Sequence, residues 1–306
     1  MGTPDYALFS LKALYESGEE IIGVVTQPDK PKGRGYTLTP PPVKVYALEK
    51  NIPVYQPTTL KDGAFAPELS EMNPDMIVVV AFGKILPKYV LDYPKYGCIN
   101  IHGSLLPKYR GAAPMQRAIM DGEKISGVTS MYMAEGLDTG DMLLTEEVEI
   151  LDGDNFESVH DKLGEAGARV LLRTVEAAKN GELSPIKQDD TLATYAAKID
   201  KAECRIDFAT DARVIHNRIR GLSPFPLAFT TLPNGKLMKV QKARYENASC
   251  EEEYGKVVRV DRSGIAVAAK GGLIVFETVV PEGKKPQTAQ DMINGRQINV
   301  GDVLGK

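Results

Sequence analysis

A short apolar run, MIVVVA at residues 76–81, has turn-forming residues on either side. A continuous run of this length is typical of a strand that is covered on both faces of a sheet. Similar runs occur at residues 21–26 (IIGVVT), 98–102 (CINIH) and 128–133, and residues 155–179 have helical periodicity. Strands that alternate with helices predict an α/β fold with a Rossmann-like parallel sheet, whose ligands bind at the carboxyl ends of the strands.

The pattern changes near residue 201, where one predicted helix is followed by short apolar runs separated by Gly and Asn-Gly turns. Closely spaced short strands of this kind are typical of a small barrel, and we expect an OB-like one. The predicted domains are therefore an α/β domain at 1–184, a linker at 185–200 and an OB-like domain at 201–306. The strands of the second domain are predicted at 228–232, 236–243, 255–260, 265–269 and 273–279.

The charge of the chain is distributed unevenly. Residues 1–200 contain 20 Lys and Arg against 29 Asp and Glu, whereas residues 201–306 contain 17 against 12. The two parts therefore carry formal charges of −9 and +5, which add up to the net charge of −4. A basic second part indicates a polyanionic partner such as a nucleic acid. A solvated basic surface without any partner explains the charge alone equally well.

Several classes of protein and site are disfavoured by the sequence. No apolar run approaches the roughly 18–20 residues of a membrane span, and no targeting leader is evident, so we expect a cytoplasmic protein without a membrane partner. The three cysteines, Cys98, Cys204 and Cys250, have no CxxC spacing. We therefore expect no metal site and no disulfide framework. A monomer is the expected state.

The candidate chemistry lies at the end of the 98–102 strand and in a later acidic turn. Asn100 and His102 are two residues apart and so point to the same face of a strand. An amide can hydrogen-bond an oxyanion, and an imidazole can exchange a proton near neutral pH. Asp138 lies in the glycine-bracketed turn EGLDTGD at residues 135–141, where a carboxylate can orient the histidine. Each residue taken alone is also compatible with a purely structural role.

The string NIHGSLLPKYRGAAP at residues 100–114, together with GLDTGDM at 136–142, resembles the folate-dependent formyltransferase superfamily. The resemblance implies that Asn100, His102 and Asp138 are catalytic. It also implies that two segments contact the folate. Their residues are Phe82, Gly83, Ile85, Leu86, Ser104, Leu105, Leu106 and Pro107.

Further strings resemble one branch of that superfamily, the methionyl-tRNA formyltransferases. They are GTPD (2–5), TQPDKPKGRG (26–35), APMQR (113–117) and GKKPQTAQDMINGR (283–296). The resemblance implies transfer of a formyl group from 10-formyltetrahydrofolate to initiator methionyl-tRNA, by direct attack of the amine through a tetrahedral intermediate. It assigns Gly33, Arg34 and Gly35 to contact with the tRNA. Members of the branch commonly continue this loop with lysines, whereas Tyr36 and Thr37 follow here.

Three other functions compete with this interpretation. The first is a related formyltransferase that acts on a sugar nucleotide or on glycinamide ribonucleotide, which the basic second part and the GRG loop disfavour. The second is a nucleotide-binding dehydrogenase, but no GxGxxG motif follows any predicted strand. The third is a tRNA-binding module without activity, which the presence of Asn100, His102 and Asp138 disfavours.

The first residues of the chain differ from the resembled branch, in which an apolar strand precedes Gly-Thr-Pro-Asp. Here Gly2 follows Met1 directly. The first strand of a parallel α/β sheet normally lies in its interior. We therefore predict either a break in the sheet between the 21–26 and 76–81 strands, with lower stability than in a longer form of the chain, or a rearrangement of the sheet that closes the gap.

Overall fold

The computed structural model describes residues 1–32 and 37–306, and these residues divide into two compact units. The first unit consists of Met1–Pro114, Ile125–Glu149 and His160–Ala196, and the second of Met115–Lys124, Ile150–Val159 and Ala197–Lys306. The second unit thus includes two short segments that lie between segments of the first unit along the chain. The sequence pattern did not indicate these segments.

Some helices begin at a side chain that accepts from a backbone N–H of the first turn, and others begin at a proline, which has no N–H that would need a partner there. Asp5 accepts from the backbone N–H of Tyr6 at the first helix, and Asp211 accepts from that of Arg213 at the seventh. None of the helices in the described residues is both long and apolar enough to span a membrane. The helices are α1 (Tyr6–Glu16), α2 (Pro42–Glu49), α3 (Ala66–Met72), α4 (Lys88–Leu91), α5 (Pro114–Asp121), α6 (Phe156–Asn180), α7 (Ala212–Gly221) and α8 (Ala289–Asn294).

The strands of the first unit are short, whereas two strands of the second unit are ten residues long. In the first unit they are β1 (Val24–Val25), β2 (Lys30–Lys32), β3 (Thr37–Thr39), β4 (Val54–Tyr55), β5 (Ile77–Val79), β6 (Cys98–His102), β7 (Arg110–Gly111), β8 (Ile125–Tyr132), β9 (Met142–Glu149) and β10 (Tyr195–Ala196). In the second unit they are β11 (Ala228–Thr231), β12 (Leu237–Glu246), β13 (Val257–Asp261), β14 (Gly264–Ala269), β15 (Gly272–Pro281) and β16 (Gln287–Thr288).

The main sheet of the first unit has the order β5-β6-β8-β9 and is mixed. β5 and β6 are parallel, with Val79 opposite Asn100, but β8 runs antiparallel to both β6 and β9. The prediction of a Rossmann-like parallel sheet is therefore confirmed only in part, since β5 and β6 are parallel whereas both pairs that include β8 are antiparallel. The short connection between β8 and β9 can only form a hairpin, because a parallel pair needs a crossover of a dozen or more residues. Between β6 and β8, nearly all of α5 belongs to the second unit and provides no crossover within the first.

The predicted break in the sheet is present. β1 pairs with β4 in a separate two-stranded parallel sheet, and only Met1 and Gly2 lie between β1 and β5. Gly2 N–H donates to the carbonyl of Val25 at 3.0 Å, and the carbonyl of Met1 accepts from Val80 N–H at 2.9 Å. Beyond this two-residue bridge lies a cavity of about 580 Å³, whose apolar lining includes Leu11, Val43, Leu69 and Met72.

The second unit contains one antiparallel sheet in the order β11-β12-β15-β14-β13, with β16 on β15. α7 places Ile215 and Ile219 in a buried cluster with residues of this sheet such as Val240 and Phe276. Among the described residues, β11 and β13 form the two ends of the order and do not pair with each other. The OB-like barrel that the sequence predicted is therefore not confirmed, because the described residues form no closed barrel, which would need a hydrogen-bonded ladder between its first and last strands.

Candidate active site

β6 carries the two polar residues of the predicted site. Its alternation of side chains puts Asn100 and His102 on one face, and Asn100 is half-buried whereas His102 is only 6% exposed. The neighbouring strand fixes the position of both residues, with Met131 of β8 opposite Asn100 and Thr129 opposite His102. The amide and the imidazole are thus presented by the interior of the sheet rather than by a loop.

The orientation of the His102 ring follows from its two neighbours. Nε2 lies 2.9 Å from the carbonyl oxygen of Tyr109. Because a carbonyl only accepts, Nε2 carries a hydrogen and donates it. Nδ1 faces Oδ2 of Asp138 at 3.7 Å, which is longer than a direct hydrogen bond. Nδ1 is therefore the ring nitrogen that faces the Asp138 carboxylate.

Asp138 lies in the connection between β8 and β9 and has a left-handed backbone conformation, with φ of 51°. Its Oδ2 accepts from the backbone N–H of Gly111 at 2.8 Å. The same carboxylate oxygen thus faces both His102 and a backbone donor from β7. Gly140 allows this loop to close, because a Cβ at that position would lie 1.7 Å from the carbonyl oxygen of Tyr132.

The turn after β6 is held by its own hydrogen bonds. The Ser104 hydroxyl donates to the carbonyl of Lys108 at 2.7 Å. The Thr129 hydroxyl donates to the carbonyl of Ser104 at 2.7 Å and accepts from Leu106 N–H at 3.1 Å. The turn at residues 104–108 is therefore fixed against β8, and His102 lies at its entrance.

The predicted folate-contacting residues occupy different environments. Phe82 and Leu86 are 2% and 3% exposed and belong to a hydrophobic cluster with Val25 and Phe65, and Ser104 and Leu106 are also buried. Leu105 and Pro107 are half-buried, whereas Gly83 and Ile85 are exposed, Ile85 to 86%. The exposed and half-buried members are those whose surfaces are open to a ligand. The buried members pack in the interior and hold the two segments in place.

The predicted tRNA-contacting residues, Gly33, Arg34 and Gly35, lie outside the described residues. Within the described part of the chain, no group of three or more His, Cys, Asp or Glu residues has an arrangement that could hold a metal ion. The candidate site is thus formed by β6, the turn that follows it, and the Asp138 loop.

Comparison with known proteins gives the family. The chain matches the formyl transferase family model over residues 2–175 and the model of the formyl transferase C-terminal domain over residues 198–297. It is 48% identical to the methionyl-tRNA formyltransferase of Bacillus velezensis, covering 100% of this chain and 96% of that protein. It is 49% identical to the same enzyme of Clostridium novyi, covering 99% and 98%. The chain belongs to the methionyl-tRNA formyltransferase family.

Solved structures with low sequence identity share the fold of this methionyl-tRNA formyltransferase family member. The N-formyltransferase of Helicobacter canadensis, in complex with folinic acid and dTDP-3-aminofucose, matches with a TM-score of 0.66 at 20% identity, over 90% of this chain and 96% of that one. HypX of Aquifex aeolicus in complex with tetrahydrofolic acid matches with a TM-score of 0.61 at 18% identity, over 83% of this chain and 44% of that one. At such identities the matches show the fold alone.

Sequence reasoning missed the residues that hold the site together. Tyr109, Arg110 and Gly111 lie inside the quoted motif at residues 100–114. Their contacts depend on the turn at residues 104–108, which leads into β7. Gln188 lies in the predicted linker and still donates to the backbone of the Asp138 loop. It is 50 residues from Asp138 along the chain, and no local pattern connects the two.

Proposed function

We propose that this chain transfers the formyl group of 10-formyltetrahydrofolate to the amino group of initiator methionyl-tRNA, as a step of translation initiation. The observation that carries the proposal is the whole-length identity of 46–49% to methionyl-tRNA formyltransferases. The geometry supports it, because His102 and the Asp138 carboxylate lie 3.7 Å apart at the end of β6.

Asn100, His102 and Asp138 are the proposed catalytic residues. The methionyl amine attacks the formyl carbon, and the carbonyl oxygen becomes an oxyanion that the Asn100 amide and the protonated His102 ring stabilise. The amine loses one proton, which Asp138 helps to remove through water. The bond from the formyl carbon to the folate nitrogen then breaks, and that nitrogen takes up a proton. No side-chain nucleophile is needed in this scheme, since the amine attacks directly.

The proposed donor site is the surface between the two segments at residues 82–87 and 104–107. Ile85 presents an apolar side chain that is 86% exposed, next to Gly83, which has φ of 74°. An exposed apolar side chain suits contact with a flat heteroaromatic ring such as that of a reduced folate. Phe82, Leu86, Ser104 and Leu106 support this surface, and Leu105 and Pro107 border it.

The proposed acceptor contacts are Gly33, Arg34 and Gly35 and the basic second part of the chain. The planar guanidinium of an arginine suits phosphate and base-edge contacts. The two family models, over residues 2–175 and 198–297, support a catalytic domain at 1–184, a linker at 185–200 and a second domain at 201–306, and we propose that this second domain binds tRNA. We further propose that the protein is cytoplasmic, where translation initiation takes place. We also propose a monomer, since all three proposed catalytic side chains come from one chain.

The test is an assay with 10-formyltetrahydrofolate and initiator tRNA charged with methionine. The proposal predicts N-formylmethionine after deacylation, with one tetrahydrofolate formed for each formyl group transferred. Formation of formate and tetrahydrofolate without formylmethionine would contradict it. So would binding of charged tRNA without any transfer.

A further inference from the structure

Arg110 is a buried cation next to the candidate site and is not used in the proposed chemistry. Its side chain is 2% exposed. Nε and Nη2 donate to the Oε1 of Gln188 at 3.0 and 2.8 Å, and Nη2 also donates to Oδ1 of Asp190 at 2.8 Å. Burial of an arginine is costly unless its donors are paired, so these contacts are a built arrangement.

The guanidinium determines which way the Gln188 amide points. Arginine has only donors, so the oxygen of the amide must face it and the NH₂ group must face away. That NH₂ group donates to the carbonyl of Asp138 at 2.9 Å and to the carbonyl of Gly140 at 2.7 Å. Both hydrogens of the amide are therefore used on the loop that carries the proposed catalytic carboxylate.

The strand that contains Arg110 also holds the Asp138 loop through the side chain of Asp138. Arg110 and Gly111 form β7, and Gly111 N–H donates to Oδ2 of Asp138 at 2.8 Å. The residue before them, Tyr109, accepts from His102 Nε2 at 2.9 Å. Three consecutive residues thus fix His102, the Asp138 carboxylate and, through Gln188, the Asp138 backbone.

We propose that Arg110 and Gln188 are positioning residues that set the distance between Asp138 and His102. This inference rests on the proposed function of those two residues. The backbone at Asp138 has φ of 51°, a conformation that non-glycine residues adopt at a cost and keep only when their surroundings hold them. The two hydrogen bonds from Gln188 provide that restraint. A displacement of about 1 Å in such a site lowers the rate on the order of 10²-fold.

Gln188→Glu is the sharpest variant. It keeps the shape and still accepts from Arg110, but replaces the two donors with an oxygen that faces two carbonyl oxygens. We expect kcat to fall by about tenfold to a hundredfold. We expect KM for the folate and for the charged tRNA to change less than about twofold, because ligand contacts remain. Gln188→Asn, whose amide is too short to reach both sides, should act in the same direction.

Asp190→Asn is the matched control. Asp190 accepts from the same guanidinium, but its side chain is 79% exposed and it does not touch the Asp138 loop. We expect its kcat to remain near that of the unaltered chain. Melting curves of all variants show whether a loss of rate reflects unfolding.

A second readout does not depend on activity. The chain has three histidines, so the ring signals of His102, His160 and His216 can be followed separately by NMR. We expect Gln188→Glu to shift the His102 signal and to leave the other two in place. Unchanged kcat and an unchanged His102 signal in both Gln188 variants would overturn the inference. Unfolding of both variants would overturn it too, since Gln188 would then be a structural residue.

Asp138→Asn, assayed in parallel, separates this inference from the proposed function. An active Asp138→Asn variant contradicts the catalytic assignment itself. An inactive Asp138→Asn variant beside fully active Gln188 variants contradicts only the positioning role.

Discussion

At the scale of single residues, we propose that catalysis depends on three side chains, those of Asn100 and His102 on β6 and of Asp138 in the connection between β8 and β9. Losing one donor to an oxyanion typically lowers the rate on the order of 10²–10³-fold. We expect Asn100→Ala, His102→Ala and Asp138→Asn each to lower kcat by at least that order while the melting temperature changes little. Combined variants should lose less than the product of the single losses, because the three residues act as a unit. Near-normal turnover in all three single variants would refute the assignment.

Gly140 offers a separate test of how the Asp138 loop is built. A Cβ there would lie 1.7 Å from a backbone oxygen that cannot move aside easily. We expect Gly140→Ala to destabilise the chain by about 1–3 kcal/mol and to reduce kcat. Gly153→Ala is the matched control, since nothing lies within 4 Å of the added atom. Equal free energies of unfolding for the two variants, measured in urea, would contradict this account of the loop.

At the scale of elements, α7 holds a histidine whose titration links stability to pH. Burial, followed by the nearby Arg220, lowers the pKa of His216 from 6.5 to about 4, against smaller opposing effects of Asp152 and Glu277. The folded chain therefore binds this proton less readily than the unfolded chain. Stability from this group is present above pH 6.5 and is lost as the pH falls toward 4.

We expect the free energy of unfolding to be lower by about 2–3 kcal/mol at pH 4 than above pH 6.5 because of His216, allowing for partial exposure of its ring. His216→Phe keeps an aromatic ring beside Tyr245, whose centroid lies 5.4 Å away, and removes the titrating group. Urea unfolding between pH 6.5 and 4 should show a shallower decline of stability in this variant. If the free energy of unfolding declined equally in the unaltered chain and in His216→Phe, a group other than His216 would cause the pH dependence.

The cavity between β1 and β5 leads to a prediction about strand addition. It has a volume of about 580 Å³ and lies where Met1 and Gly2 form only a two-residue bridge. Seven apolar, β-prone residues added before Met1 should extend this bridge, pair with both strands and bury their side chains. Each fully buried large apolar side chain contributes about 1.5–3 kcal/mol. We expect a higher melting temperature, and an unchanged one would contradict this role of the cavity.

The sequence predicted elements better than it predicted their pairing. The runs at 76–81 and 98–102 became β5 and β6, and the long helical pattern became α6, because continuous apolar runs and 3.6-residue periodicity are local signals. β9 was missed since its acidic residues obscure the alternation, and β1 shrank to Val24–Val25 beside the cavity. The motif predicts the Asn100, His102 and Asp138 set, and the structure places the His102 ring 3.7 Å from the Asp138 carboxylate. The bonds from Gln188 could not be predicted, because they join distant parts of the chain.

At the scale of the whole molecule, the distribution of charge predicts how tRNA binding depends on salt. Residues 201–306 carry +5, and Arg34 has Pro and Gly residues on both sides of it in the sequence. Phosphate contacts release counterions, so the logarithm of the association constant should fall linearly with the logarithm of salt concentration. Arg34→Ala should weaken tRNA binding and leave folate binding unchanged.

Arg173→Ala, which removes a positive charge from an exposed side chain of α6, is the control for total charge. Filter binding with charged tRNA at several salt concentrations, and folate titration by fluorescence, measure the two affinities separately. Salt-independent tRNA binding, or an equal loss of folate affinity in Arg34→Ala, would contradict this division between acceptor and donor contacts.

The most direct test of the central claim is a competition among acceptor amines in one reaction. 10-Formyltetrahydrofolate is supplied together with methionyl initiator tRNA, glycinamide ribonucleotide and a dTDP-linked amino sugar, and kcat/KM is measured for each. The ratio of these constants defines the specificity of an enzyme. The account predicts that formyl groups are transferred to methionyl-tRNA, with kcat/KM for either small amine lower by at least about a thousandfold. Preferential formylation of a small amine would contradict it.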